Sequence, residues 1–540
     1  MNNILEKLVR QAIHQKIYTE KELHNFKNAF CGKYRITTPK NIDLIEAYRA
    51  LVKKRGIKPS KTFFELIIKR RVRSLSGIAS ITVITKEYPC PGKCVFCPKE
   101  KGMPKSYLSN EPAIMRAVLN NFDAFKQVRT RMISLEKTGH PTSKIDMIIA
   151  GGTFSFYPKS YRTRFVKAIY DALNYPTRCS PQGSTGAIKN CCEATPKKSH
   201  NLKEAQKINE KARCRCIGLS IETRPDYVTK NEIKYLRELG VTKVELGIQT
   251  VYDDVLRKNL RGHSVKTSIN AIRMLKDAGF KVNCHIMPGL LGSTPKKDLQ
   301  TFKELFDNPD FRPDWLKIYP CVVVPGSALA RIWKNSKYKS YTDEQMINFL
   351  VKVKSLIPEY VRITRLYRDI PANSILAGPK ISNLREYVQK EMLKKGLKCS
   401  CIRCREIKNT AVDPKNLEMR IKEFEASRGR EFFLSFDDKK HDKLCSLLRL
   451  RLPYKTILPE LCGAAIIREL HTYGLQIPVD EKGERVAQHL GLGKKLLVKA
   501  EEISRKHGYK KIAVISGIGA KDYYKKNGYK EFGTYMVRGL

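Results

Sequence analysis

Three thiols within eight residues, Cys90-Pro91-Gly92-Lys93-Cys94-Val95-Phe96-Cys97, constrain this chain more than any other stretch. They follow the apolar run Ile81-Thr82-Val83-Ile84, which reads as a buried strand, so the cysteines fall on the loop at its C-terminal end. Three thiolates leave a four-coordinate site one ligand short. In an iron–sulfur cluster that shortfall opens one iron to a small molecule. A zinc site with its fourth ligand elsewhere is the alternative, although structural zinc usually shows two paired C-x2-C clusters.

The rest of the chain must supply a partner for such a centre. At 540 residues it is long enough for three or four domains, and 42% hydrophobic content suffices for packed cores. Lys+Arg number 103 against 53 Asp+Glu, a formal net charge of +50. That excess points to a polyanion, nucleic acid first. Solubility explains it poorly, because positive charge serves solubility badly. Acidic lipid has no amphipathic or spanning segment in its favour, and no stretch approaches 18 apolar residues. The 16 cysteines cluster instead of spreading as a disulfide framework. Met1 to Tyr18 mixes charges into its apolar pattern, unlike a signal peptide. The expectation is a cytoplasmic protein with reduced thiols and no membrane partner.

Residues 1–75 read as a helical, basic, nucleic-acid-binding region, with Leu5, Leu8, Val9 and Ile13 at helical spacing. Lys53-Lys54-Arg55, Lys58, Lys61, Lys69-Arg70-Arg71 and Arg73 form its cationic run, a phosphate platform or else a solvated face. From 76 to 370 strands alternate with helices. Strands are expected at 79–85, 145–150, 216–222, 243–250, 281–287 and 315–323. A helix is expected at 265–278, capped by Ser264 and stopped by Gly279. Such alternation implies a parallel sheet with crossover helices. Gly151-Gly152 after the second strand lets a ligand approach the backbone.

Residues 176–215 interrupt the pattern with a polar loop holding Cys179, Cys191, Cys192 and Cys214, then Cys216; their spacing matches no ligand pattern. Residues 371–435 form a linker. In it Cys399, Cys401 and Cys404 read as a zinc site, with His441, Cys445 and His471 as candidate fourth ligands, or as ordinary reduced thiols. Residues 436–540 form a last unit with strands at 444–450, 464–472 and 511–516. Gln488-His489-Leu490-Gly491-Leu492-Gly493 precedes a helix from Lys494 to Lys506, and small residues at a helix mouth make an anion cradle. A dinucleotide loop would need Gly-x-Gly-x-x-Gly and a later acidic residue, and has neither.

C-x3-C-x2-C with an aromatic before the last cysteine resembles the radical S-adenosylmethionine (SAM) enzymes. The resemblance implies an α/β fold with an open (β/α)6 barrel and a 4Fe-4S cluster on Cys90, Cys94 and Cys97. It also implies SAM on the open iron, with Gly151 and Gly152 bonding its amino group. The Gln-x-x-Gly-x-Gly helix mouth and Tyr523-Tyr524 before Gly528 resemble the GNAT acetyltransferases. The pairing of the two resembles the catalytic subunits of Elongator, through Asn110-Glu111-Pro112, Met115-Arg116-Ala117, Gly151 to Phe154, Ile221 to Asp226, Arg368 to Pro371 and Arg468 to His471. The C-x3-C gap is shorter than in eukaryotic members, which implies a prokaryotic-type member; the 176–215 insertion is not general to the family.

That resemblance implies a tRNA-modifying enzyme of the acyltransferase class. SAM supplies a 5′-deoxyadenosyl radical and acetyl-CoA the carbon fragment for 5-carboxymethyluridine at position 34. It implies that Glu469, Leu470, His471 and Thr472 meet the thioester and pantetheine. Gln488, Gly491, Leu492, Gly493 and Lys494 meet the pyrophosphate, and Lys144 also contacts acetyl-CoA. Tyr524, with Tyr523 beside it, is the catalytic candidate near the sulfur. The expected partners are the tRNA anticodon stem–loop and an electron donor, with a homodimer left open. The rival readings are a protein lysine acetyltransferase with a structural cluster and a tRNA-binding scaffold, the latter opposed by three intact cluster cysteines. Neutralising Lys69, Arg70, Arg71 and Arg73 together is expected to weaken tRNA binding. It should lower the log–log salt dependence by up to ~3 units, read by binding titrations over a salt series. An unchanged affinity and slope would mark a merely solvated face.

Overall fold

The computed structural model describes residues 2–69, 75–175, 199–408, 410, 412–474 and 490–540. Seven parallel strands form the first sheet in chain order: β1 Ala79–Ile84, β2 Lys144–Ala150, β3 Arg215–Thr223, β4 Lys243–Gln249, β5 Lys281–Ile286, β6 Trp315–Ile318 and β7 Arg362–Arg365. The alternation of each strand decides its two faces. Ala79, Ile81, Val83, Ile145, Met147 and Ile149 are buried against apolar residues of the helices Ala124–Lys137 and Lys159–Asn174. The opposite face is polar, and Asp146 of β2 reaches Lys243 of β4 across it at 3.4 Å.

The barrel has one strand more than expected. β7 was hidden because two of its four residues are arginines. The helix Val265–Asp277 forms as its sequence predicts, with Ser264 Oγ accepting from the Thr267 N–H and Gly279 following at φ 86°. Within the interruption before β3, Leu202–Asn209 is helical under an Asn201 cap. Cys214 and Cys216 are buried in the core and bond Thr142 and the Gly218 carbonyl, and neither belongs to a metal-ligand triple among the described residues. Cys179, Cys191 and Cys192 lie outside the described residues, as do Arg70, Arg71, Arg73 and Gln488.

Four N-terminal helices, Asn2–His14, Glu20–Tyr34, Asn41–Lys53 and Lys61–Ile67, close over their own core of Leu8, Val9, Leu44, Ile45, Leu51 and Phe63. Arg49 Nη1 ties them to the barrel by donating to the Glu136 carbonyl at 2.8 Å.

A second, mixed sheet contains β8 Leu417–Ala426, β9 Gly429–Asp438, β10 Lys443–Leu452, β11 Ala464–Thr472, β12 Lys511–Val514, β13 Lys530–Phe532 and β14 Tyr535–Gly539. Its spatial order is β13-β14-β12-β11-β10-β9-β8. It begins at Leu417, so the hairpin of β8 and β9 that the sequence reading left largely in a linker belongs to it. Charges at Glu418, Arg420, Lys422, Glu423 and Glu425 masked the strand. β11 and β12 are the parallel pair, and they pair only over Ala464–Ile467. Arg468 sits at a register shift between β10 and β11. Such a bulge re-aims a side chain, here toward the barrel.

The two sheets are locked by buried ion pairs that cross between them at Asp314, Asp277 and Lys281, braced by pairs within the second sheet. Arg468 donates to Asp314 at 2.9 Å, Arg451 to Asp277 at 2.6 Å and Glu431 at 3.0 Å, and Arg449 to Glu469 at 2.8 Å. Lys281 lies 3.7 Å from Glu469. Asp277, Lys281 and Asp314 stand at the N-terminal ends of barrel strands, so the second sheet caps that end. Two glycines make a close fit there. A Cβ on Gly517 would lie 2.2 Å from the Ile217 carbonyl oxygen, and one on Gly519 would lie 3.0 Å from the Cys216 nitrogen.

Breaking a buried pair strands its partner without water. Asp277→Asn is therefore expected to cost about 3–5 kcal/mol in chemical denaturation. Acid should act on the same network. Burial alone would raise the Glu469 carboxyl, but Lys281 and Arg449 outweigh it and bring it down to about 2. A depressed carboxylate contributes stability that is complete above its unfolded pKa of about 4.3 and is lost as pH falls toward 2. Thermal scans from pH 5 to 2 should show a steeper fall for the parent protein than for Glu469→Gln. Parallel curves would show that the pair adds nothing.

Candidate functional site

The cysteine loop crosses the C-terminal mouth of the barrel. It is held there by backbone bonds from the Val95 N–H to the Asn259 carbonyl and from the Leu329 N–H to the Val95 carbonyl, while Phe96 packs among Val255, Leu290 and Leu329. Cys94 is buried, and Cys90 and Cys97 are half-buried. The Cys97 thiol donates to Cys94, and with the charges of Arg261 and Arg224 this overcomes burial to bring the Cys94 thiol down to about 5. Among the described residues, the donor triples within 4.8 Å of one another are Cys399/Cys401/Cys404 and Glu222/Glu245/His285. Cys90, Cys94 and Cys97 are set more widely. A readily ionised Cys94 suits a thiolate ligand.

Gly151 and Gly152 follow β2 at the same mouth, at φ 132° and 104°. A Cβ on Gly151 would stand 2.0 Å from Thr85 Oγ1. Only glycine fits, and the bare backbone faces the mouth beside the cysteine loop.

Below the loop, the bore of the barrel is charged. Glu222 accepts from Tyr107 at 3.0 Å and from Lys317 at 3.3 Å, Lys317 also contacts Glu245, and Glu245 bonds His285 at 3.0 Å. Glu245 is held well below the carboxylate range; burial opposes this, and Lys317 and His285 outweigh it. Lys317 thus fills the carboxylate–histidine triple that a divalent ion would need. Farther down, the side chains of Asn283 and Ser220 are buried with no partner among the described residues. Sequence reasoning missed this set. Its signal was the run of charges at alternate strand positions, Glu222, Glu245, His285 and Lys317, which a closed apolar barrel would not carry.

At the capped end, the helix Leu492–Lys506 starts after Gly491, whose φ of 64° turns the chain. Gly493 leaves room for Tyr523, whose hydroxyl would lie 2.9 Å from a Cβ there, with Thr472 Oγ1 at 3.8 Å. Thr472, Gly493 and Tyr523 thus converge where the parallel strands part and the free N–H groups of a helix begin, a cradle for a phosphorylated ligand. Tyr524 is buried between Tyr523 and Tyr529. The Glu469 carboxylate is consumed by Arg449 and Lys281. His471 donates from Nε2 to the Ser76 carbonyl at 2.9 Å, and burial drives its pKa down to about 4, so it stays neutral. Neither side chain is free for a ligand, while the backbone of β11 from Arg468 to Thr472 is left unpaired by β12. Leu470 is half-buried beside them and Lys494 lies in the first turn of the helix. Lys144 opens β2 at this end, opposite Arg215, and burial lowers its pKa.

Cys399 and Cys404 line one wall of a cleft of about 750 Å³ that His441 shares, with the buried Cys401 sulfur within 4.8 Å of both. Hydrogen bonds from its neighbours hold Cys401 well below the ordinary thiol value. Of the other two candidate fourth ligands, Cys445 is buried in β10 and His471 is bound to Ser76.

Comparison with known proteins agrees with this arrangement. Residues 89–305 match the Radical SAM superfamily and residues 313–394 the Radical_SAM C-terminal domain. The tRNA uridine(34) acetyltransferase of Methanocaldococcus infernus is 41% identical over 100% of this chain and 99% of its own. Elongator complex protein 3 of Homo sapiens is 37% identical over 96% of this chain and 93% of its own. The solved structure of Methanocaldococcus infernus Elp3 lacking its N-terminus (1-46) superposes with a TM-score of 0.74, at 41% identity, covering 86% of this chain and 100% of that one. With three cysteines at the mouth of its barrel and relatives matched over 93–99% of their own length, the chain belongs to the family of the tRNA uridine(34) acetyltransferases and Elongator complex protein 3.

Proposed function

We propose that this protein modifies the wobble uridine of tRNA, building a carboxymethyl group on carbon 5 from the acetyl group of acetyl-CoA. The observation that carries the reading is the family match over the full chain, to relatives named for uridine 34 of tRNA. Nothing in those names favours a protein lysine substrate. The net charge of +50 suits a tRNA backbone, and an anticodon loop offers a base already out of a duplex.

The residues present fit the groups this chemistry needs. Cys90, Cys94 and Cys97 would hold the 4Fe-4S cluster, and Gly151 and Gly152 would present backbone to SAM. Bound there, the pair supplies a carbon radical that can activate a methyl group, which ordinary acyl transfer cannot. A low-potential electron donor has to reach the cysteine loop at the exposed mouth. The second sheet acts as the acetyltransferase-like half. In it Leu492, Gly493 and Lys494 face the pyrophosphate, the open edge of β11 at Leu470 and Thr472 takes the pantetheine, and Tyr523 stands at the thioester. We read Cys399, Cys401 and Cys404, with His441 in the same cleft, as a zinc site that stiffens the junction.

The two ends of the barrel are separated by the length of β2, on the order of 20 Å at ~3.3 Å per residue. The bore between them is polar, and Asn283 and Ser220 offer unused hydrogen-bonding groups to a thioester arm passing through it. Tyr523→Ala should raise KM for acetyl-CoA about tenfold, since one hydrogen bond and its ring contact are worth on the order of 1.5 kcal/mol, while leaving iron content unchanged. With acetyl-CoA labelled in the methyl carbon, label should enter the wobble uridine only with SAM and a reductant. Label on protein lysines, or transfer without SAM, would overturn the proposal.

A further inference from the structure

The proposed reaction leaves two buried arginines beside the cysteine loop without a role. Arg261, from the loop after β4, donates from Nη1 to Cys94 Sγ at 3.0 Å and from Nη2 to the Gly247 carbonyl. Arg224, from the loop after β3, spends Nε and Nη2 on Asp226, each at 2.9 Å. Its Nη1 is buried with no partner among the described residues. That orphan donor is aimed at the cysteine loop, because a Cβ on Gly92 would lie 2.5 Å from it. The two side chains are 5% and 7% exposed, so water screens neither well.

We propose that Arg224 and Arg261 are positioning residues that form a cradle for the cluster on Cys90, Cys94 and Cys97 and set its reduction potential. The inference rests on the cluster assignment made above. A four-iron cluster with three thiolates carries one net negative charge when oxidised and two after gaining one electron. Nearby guanidinium groups attract the second state more strongly, and N–H donors to sulfur withdraw electron density from it. Both effects raise the potential. The step moves a single electron from a low-potential donor into the cluster, with no bond made or broken. Asp226 fits this design, since its two bonds fix the Arg224 fork and leave one edge pointing inward.

The test is an EPR-monitored redox titration of the cluster-loaded full chain without SAM, using dithionite as reductant, with iron and sulfide assayed on each sample. At the parent midpoint, Arg261→Gln should show at least a tenfold lower reduced-to-oxidised ratio, ~59 mV for a one-electron couple. Arg261→Lys should recover part of the loss. Gly92→Ala keeps every cysteine and both arginines but pushes Nη1 away, and it should shift in the same direction as Arg224→Gln. If Arg261→Gln fails to retain iron, Gly92→Ala and Arg224→Gln decide the matter. Variants with full iron and sulfide and the parent midpoint would overturn the cradle while leaving the cluster assignment standing. Absence of a cluster in the parent protein would instead remove the assignment itself.

Discussion

The buried pairs Asp277–Arg451 and Asp314–Arg468, which cross between the barrel and the second sheet, hold the two halves in one register, braced within the second sheet by Glu431–Arg451 and Glu469–Arg449. Hydrophobic contact alone would tolerate sliding between a sheet and a barrel end. Bidentate guanidinium pairs do not, because each is directional and each broken pair leaves a charge without water. A reaction shared between a radical source and an acyl carrier needs that fixed relation, since reacting atoms must approach within roughly 3–3.5 Å. The bulge that turns Arg468 toward Asp314 shows where the fold gives up regular pairing to gain it.

The same geometry makes the barrel itself the common ground of the two chemistries. The second sheet covers its N-terminal end, and the cysteines and the Gly151-Gly152 turn occupy the other. A packed apolar bore would isolate them. This one is lined by Asp146, Lys243, Glu245, Lys317 and Glu222, tied by cross-strand pairs and interspersed with unsatisfied polar groups. Such pairs can exchange partners when a polar ligand enters, which a methyl-packed interior cannot do without losing its contacts.

Much of this was legible in the sequence. The cysteine spacing, the strand that ends before it, the Gly-Gly turn and the cap and stop of the helix Val265–Asp277 all depend on local chemistry, and local chemistry can be read along a chain. What stayed hidden depends on which surface a charge meets. Leu448-Arg449-Leu450-Arg451-Leu452 alternates like a strand with one wet face, yet its arginines are buried because the barrel brings Asp314 and Asp277 to them. β7 and β8 were concealed by their charges too, although those of β8 are largely exposed. Tyr523 and Tyr524 are adjacent and chemically alike. Only the packing of Tyr524 against Tyr529 shows that Tyr523 is the one facing Gly493.

The central claim is that both halves act on one molecule of acetyl-CoA. It is tested most directly by following hydrogen. Acetyl-CoA deuterated at the methyl group, supplied with SAM, reductant and tRNA, should yield 5′-deoxyadenosine carrying deuterium, in step with carboxymethyl formed on the tRNA. Unlabelled 5′-deoxyadenosine released alongside modified tRNA would contradict the account, because the radical would then be drawing its hydrogen from elsewhere.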